Sequence, residues 1–266
     1  MTKKFLIIGN PVKHSLSPKI HNHWFNENKI DAIYEKRETL DKELEDVVEN
    51  IRSGKISGAN ITVPYKEKII PYLDKLSKLS EQTNSVNTIY KKDNVIFGDN
   101  TDVYGFVESI RHKSINLKGK TALILGGGGV VPSIISGLNE LSIKKIFLMN
   151  RTFKKIEKFK NKFSKIELLK WGEICEFDII INATSVGLKT SDEIKLDLNN
   201  LKSNKIFYDT IYNPPLTNFL HKAKKNKHSI INGTLMLVYQ AQKSFQFWNN
   251  IMPKINEKIL SILSND

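Results

Sequence analysis

The 266-residue chain is predicted to be an α/β protein of two α/β domains. Three observations predict this. Short apolar runs alternate with amphipathic stretches, the pattern of right-handed βαβ units with a parallel sheet. The alternation occurs twice, once up to about residue 98 and again from about residue 120. A long helical pattern at 234–248 follows the second series and is expected to pack back on the first domain. The boundaries expected from this reading are 1–101 with 233–266 for one domain and 102–232 for the other.

The elements follow in order. Residues 3–10 (KKFLIIGN) form a strand, and 17–28 form a helix with Ser17 as N-cap and Pro18 at the first helical position. A strand at 33–38 precedes a helix at 41–52, capped by Asp41. Residues 57–64 (SGANITVP) form a strand ending at proline. VNTIY and NVIFG flank the turn Lys91-Lys92-Asp93-Asn94 and read as a hairpin. The second series has strands at 121–125, 145–150, 178–183 and 205–210, helices from the glycine turn to about 141 and at 153–163, and a short apolar stretch at 229–232.

Composition narrows the function classes. Apolar residues make up 40% and charged residues 26%, enough to build a core. The single cysteine, Cys175, excludes an internal disulfide and a Cys-cluster zinc site. His21 and His23 are two apart on a predicted helix and do not face one way, so no metal site is expected. No apolar run reaches the roughly 18 residues of a membrane helix, and the N-terminal apolar run is too short for a signal peptide. The expectation is a soluble cytoplasmic protein without a membrane partner. Net charge is +13. Residues 102–232 carry 22 basic and 12 acidic groups, hence +10 of that excess. The basic residues are 37 Lys and four Arg, dispersed and without stacking motifs, so a nucleic-acid partner is not expected.

Gly126, Gly127, Gly128 and Gly129 lie between a strand and a helix, the setting of a Rossmann-type dinucleotide turn. Glycines there let the backbone approach a pyrophosphate, and the helix N-terminus attracts its charge. Val131 occupies the third glycine position, and Pro132 falls in the first helical turn. The next strand ends Met149-Asn150-Arg151-Thr152, with no acid to hold a ribose diol. Arg151 suits a 2′-phosphate in fork geometry, which favours NADP over NAD.

Three polar clusters mark strand ends in the first series: GNPVKHSLSP from Gly9, GANITVPYK from Gly58, and SVNT with GDNTD from Ser85 and Gly98. Together with GGGG, NRT, INATSVG, YDTIYNPPLT and NGTLMLVYQA, in this order, they resemble the shikimate dehydrogenase family over nearly the whole chain. The resemblance implies reversible NADPH-dependent reduction of 3-dehydroshikimate to shikimate, with Lys66 and Asp102 as the catalytic pair. It implies Ser15 and Ser17 at the substrate carboxylate, with Tyr212 nearby. Thr62, Asn87 and Gln240 are implied at the ring hydroxyls. For NADP it implies Gly126–Val130, Asn150, Arg151, Thr152 and Lys155, with Ile211 and Gly233 near the nicotinamide. An NAD-using quinate/shikimate dehydrogenase and a non-catalytic NADP-binding regulator are the alternatives, and a homodimer is left open. The chain departs from the family pattern at the GGGG-Val-Val-Pro turn, at Val103 after Asp102, at Asn84-Ser85, and at Asn232 before Gly233.

Overall fold

In the computed structural model, residues 2–173, 175–198, 201 and 204–264 are described. The chain forms two compact units, Met1–Phe106 with Leu237–Asp266, and Val107–Met236.

The first unit holds β1 (Lys3–Gly9), α1 (Ser17–Glu27), β2 (Ala32–Glu38), α2 (Leu44–Arg52), β3 (Gly58–Ile61), β4 (Lys75–Leu76), α3 (Lys78–Thr83), β5 (Thr88–Lys92) and β6 (Val95–Asp99). It also takes the beginning of α4 (Thr101–His112). Its six strands run in the order β2-β1-β3-β5-β6-β4. The sheet is not purely parallel, as the alternation implied. β1 pairs in parallel with β2 and β3, but β5 is antiparallel to both β3 and β6. A two-residue hairpin forces the reversal between β5 and β6, with Asp93 and Asn94 at φ 49° and 61°. The amphipathic α2 covers one face: Leu44, Val47, Val48 and Ile51 join Leu6, Ile8, Ala59, Ile61 and Ile89 in one buried cluster.

Two expected caps are corrected. Helix α1 begins at Ser17 itself with Leu16 at the N-cap, and Ser17 faces Ser15 instead of capping. Asp41 opens a short 3-10 turn before α2 and pairs with Lys68. Asn22 on α1 is bound to the edge strand β2. It donates to the Tyr34 carbonyl at 2.9 Å and accepts the Tyr34 N–H at 2.8 Å.

The second unit contains β7 (Thr121–Leu125), α5 (Val131–Glu140), β8 (Lys145–Met149), α6 (Lys154–Lys160), β9 (Ile166–Leu169), β10 (Ile179–Asn182), β11 (Ile206–Asp209), α7 (Asn218–Lys225) and β12 (Ser229–Ile231). Every strand pair is parallel, in the order β12-β11-β10-β7-β8-β9. Counted within this unit, that is the doubly wound order 3-2-1-4-5-6 read from the other edge. Strand order reverses between β7 and β10, so the carboxyl ends of these two strands flank the crevice where such sheets bind ligands.

The divide falls inside α4 and inside α8 (Thr234–Asn249), not at the expected boundaries near their starts. Asp102 therefore lies in the first unit and Gly233 in the second. From Leu237 onward α8 belongs to the first unit, followed by α9 (Glu257–Ser264). Trp248 donates to the Ile89 carbonyl at 3.0 Å, and a Cβ on Gly58 would come within 2.4 Å of its indole nitrogen, so β3 needs glycine there. Phe245 and Trp248 join Phe5, His21, Trp24, Phe25 and Tyr34 in an aromatic cluster. Among the described residues no helix is long and apolar enough to cross a membrane.

Candidate active site

In the first unit the loop after β3 carries Lys66, and the first turn of α4 carries Asp102. Their side chains meet, with Lys66 Nζ 2.5 Å from Asp102 Oδ2. Both are largely buried, at 13% and 9% side-chain exposure, which strengthens the pair relative to a surface one. The Lys66 loop is anchored through its own carbonyl, which accepts the Val86 N–H at 2.9 Å. Asp102 is held by two neighbours. Its N–H donates to Asn100 Oδ1 at 3.1 Å, and Asn87 Nδ2 donates to Asp102 Oδ1 at 2.9 Å. Gln240 on α8 accepts from the same Asn87 nitrogen at 3.4 Å. Lys66, Asp102, Asn87 and Gln240 are thus brought together.

Ser15 Oγ donates to Ser17 Oγ at 3.2 Å and accepts the Ser17 N–H at 3.3 Å. Ser17 also hydrogen-bonds Tyr34, whose hydroxyl donates to Asn60 Oδ1 at 2.7 Å. The serine pair therefore joins the polar cluster through two groups the sequence did not single out. Thr62 follows β3, and its N–H donates to the Ile8 carbonyl at 2.9 Å.

In the second unit Gly126 sits at φ 126°, and a Cβ there would approach the Ala183 carbonyl to 2.7 Å. Only glycine lets the β7 and β10 ends lie so close. A Cβ on Gly127 would meet Ile156 at 3.0 Å, while Gly128 and Gly129 face open space. Val130 and Val131 open α5, and Val131 is wholly buried, so it packs where a third glycine would sit. At the start of α5 the Val131 N–H already donates to the Gly128 carbonyl at 3.1 Å and Pro132 has no N–H, so the open glycines, rather than the first helical turn, leave room for an anion.

After β8, Asn150 donates to the Thr152 carbonyl at 2.8 Å and shapes the loop. Arg37, Arg52 and Arg111 each pair with carboxylates. Arg151 is exposed and pairs with none among the described residues, and Lys155 is exposed on α6. This loop fits the phosphate of a dinucleotide. Ile211 and Gly233 are adjacent: the Gly233 N–H donates to the Ile211 carbonyl at 3.0 Å. A Cβ on Gly233 would fall 2.1 Å from the Thr210 oxygen. Tyr212 follows β11 in the second unit.

Buried Asp209 orders that stretch. It accepts from the Ile211 N–H at 3.0 Å, Asn182 at 3.0 Å and Thr217 at 2.7 Å. Burial raises its carboxyl above the usual range, and these three hydrogen bonds oppose the rise. The sequence pattern did not mark Asp209, Asn182 or Thr217, although all three lie in motifs quoted above.

Two departures from the family pattern have local explanations. Asn84 ends α3 in the left-handed region at φ 51°, a conformation that asparagine tolerates better than any residue but glycine. Asn232 Oδ1 accepts the Thr234 N–H at 3.2 Å, the capping contact an aspartate would make.

A doubly wound domain with a glycine turn, in one chain with a domain bearing a buried ammonium–carboxylate pair, defines a two-domain α/β protein of the dehydrogenase class. Residues 7–89 match the family model "Shikimate dehydrogenase substrate binding domain", and residues 108–210 match "Shikimate / quinate 5-dehydrogenase". The chain belongs to the shikimate dehydrogenase family. It is 53% identical over 263 residues, 99% of each chain, to the shikimate dehydrogenase (NADP(+)) of Pelagibacter ubique (strain HTCC1062). It superposes on the shikimate dehydrogenase of Aquifex aeolicus with a TM-score of 0.91 at 33% identity, covering 100% of this chain and 98% of that one. The shikimate 5-dehydrogenase of Thermus thermophilus, solved in complex with NADP(H) and shikimate, gives a TM-score of 0.90 at 28% identity, with 98% of each chain covered.

Proposed function

We propose that this chain catalyses the reversible NADPH-dependent reduction of 3-dehydroshikimate to shikimate, in the cytoplasm, on the route to chorismate and the aromatic amino acids. The observation that carries this reading is the Lys66–Asp102 contact of 2.5 Å, braced by Asn87 on the second carboxylate oxygen. The bound cofactor supplies the hydride. Lys66 donates a proton to the ketone oxygen as it gains negative charge, and withdraws one from the hydroxyl in the reverse direction. Asp102 orients the ammonium and stabilises its charge.

The other roles rest on the family likeness. Ser15 and Ser17 donate to the substrate carboxylate, assisted by Tyr212. Thr62, Asn87 and Gln240 bond the ring hydroxyls, and an analogue lacking a hydroxyl is rejected because it leaves such a group unpaired. Gly126–Val130 lie against the pyrophosphate, with the Gly126 N–H itself held by the Met149 carbonyl at 2.8 Å. Arg151, with Asn150, Thr152 and Lys155, holds the 2′-phosphate, and Ile211 and Gly233 support the nicotinamide end.

The test is NADP⁺ reduction by shikimate, with NAD⁺ and quinate in parallel. Turnover confined to shikimate and NADP⁺ supports the proposal. Turnover with quinate and NAD⁺ would favour a quinate/shikimate dehydrogenase. A folded chain that binds NADPH but turns over nothing would favour a regulator.

A further inference from the structure

Behind Asp102 lies a closed set of buried polar side chains with Ser244 at its centre. Ser244 is on α8, is 0% exposed, and is remote in sequence from every other member but Gln240. Its hydroxyl lies 2.7 Å from Thr88 Oγ1, 3.1 Å from Thr101 Oγ1 and 3.0 Å from Asn60 Nδ2, and it donates to the Gln240 carbonyl at 3.0 Å.

Proton counting gives this set a direction. Asn87 Oδ1 accepts the Thr101 N–H at 2.7 Å, so its amide nitrogen faces Asp102, which as a carboxylate only accepts. The second proton of that nitrogen is shared between Thr101 Oγ1 at 2.9 Å and Gln240 Oε1 at 3.4 Å, the former the closer. Thr101 then passes its own proton on, with Ser244 at 3.1 Å, Asn87 Oδ1 at 3.1 Å and Thr88 Oγ1 at 3.3 Å within reach. Ser244 delivers its proton to a backbone carbonyl, where the chain ends. With its one proton on that carbonyl, the Ser244 hydroxyl turns its two lone pairs to three neighbours, Asn60, Thr88 and Thr101, which share them.

Without Ser244 the Thr88 and Thr101 hydroxyls keep each other, at 3.3 Å, and Asn87 Oδ1, at 3.2 and 3.1 Å. That oxygen already holds the Thr101 N–H. One hydroxyl proton can pass between the pair, and the other then pulls on the amide whose other end holds Asp102.

We propose that Ser244 is a positioning residue for the reaction, acting through Asn87 to keep Asp102 aligned on Lys66. The proposal deepens the functional reading above and rests on it. The experiment is a double-mutant cycle of Ser244→Ala and Asn87→Ala in kcat/KM for shikimate. Loss of one such hydrogen bond lowers kcat/KM about tenfold in Ser244→Ala, with KM for NADP⁺ within about twofold. Ser244→Cys, which fills the volume but donates and accepts weakly, falls likewise. Ser244→Thr, which keeps the hydroxyl, recovers most of the activity.

In the Asn87→Ala background Ser244→Ala has little further effect. An equal further loss there, or unchanged kcat/KM in the single variant, would overturn the proposal. A crystal structure of Ser244→Ala gives a readout independent of turnover: Asn87 shifts off Asp102, and an unmoved Asn87 overturns the proposal. Failure of the wild-type chain to oxidise shikimate would instead sink the functional reading.

Discussion

His21 makes the first domain acid-sensitive by a computable amount. Its ring is 0% exposed, stacked on Tyr34 at 4.4 Å and ringed by Trp24, Phe25, Phe245 and Trp248. Neither ring nitrogen hydrogen-bonds another protein group. Burial depresses its pKa from 6.5 to about 3, and nearby Asn60, without hydrogen-bond geometry, opposes the fall. Above pH 6.5 both folded and unfolded chains hold a neutral imidazole, and the group contributes no pH dependence. Below that, the unfolded chain takes up a proton that the folded chain refuses, so stability falls as pH falls. The slope is about 1.4 kcal/mol per pH unit. Between pH 8 and pH 5 the loss from this one group is about 2 kcal/mol, from an unfolded pKa of 6.5 and a folded one of about 3.

The perturbation is His21→Phe, which keeps an aromatic ring and removes the titration. Overpacking by the larger ring costs the same at every pH and cancels in the comparison. The assay is urea unfolding followed by tryptophan fluorescence, which weights the first domain because Trp24 and Trp248 lie in it. The wild type should lose about 2 kcal/mol more than the variant between pH 8 and pH 5. Equal losses, to within about 0.5 kcal/mol, would refute the reasoning.

Four further outcomes are expected. Lys66→Ala should lower kcat by about 10²–10⁴ with little change in cofactor affinity, read by steady-state kinetics. Arg151→Ala should raise KM for NADP⁺ by about 10- to 100-fold and leave KM for NAD⁺ nearly unchanged; parallel shifts for both cofactors would contradict the 2′-phosphate assignment. Gly233→Ala drives a methyl against the Thr210 oxygen and should lower the melting temperature and weaken NADPH binding, checked by calorimetry. At Asn84, already at φ 51°, substitution by glycine should change stability by less than about 1 kcal/mol, while alanine should cost more, as thermal unfolding would show.

Local signals in the chain carry most of the fold. Strand runs and helical periods are short-range, so the second domain was legible nearly strand by strand, apart from the half-exposed β9. Strand direction is another matter. Alternation cannot say whether β5 runs with or against β3; the hairpin fixes β5 only against β6, and the pairing with β3 is set by the tertiary fold. Helix α4 is not legible because GDNTD is rich in residues that favour loops and caps, and the divide between the units, after Phe106, falls inside it. Lys66, Asp102 and Asn87 could be found because each sits in a recognisable motif. Ser244 had no such signal: its partner Thr88 is 156 residues away, and only the fold joins them.

The clip that Asn22 places on Tyr34 governs what the first sheet can become. Strand β2 is an open margin, and an open margin is a template for another chain. In a parallel pairing alternate residues turn both backbone groups outward, and Tyr34 is one of four such residues of β2, with Ala32, Lys36 and Glu38. With that rung already satisfied by a side chain of the same molecule, an incoming strand would find one of its four anchors taken. Growth of the sheet by accretion is thereby checked at a single asparagine, and its replacement by alanine would turn a finished border into an adhesive one.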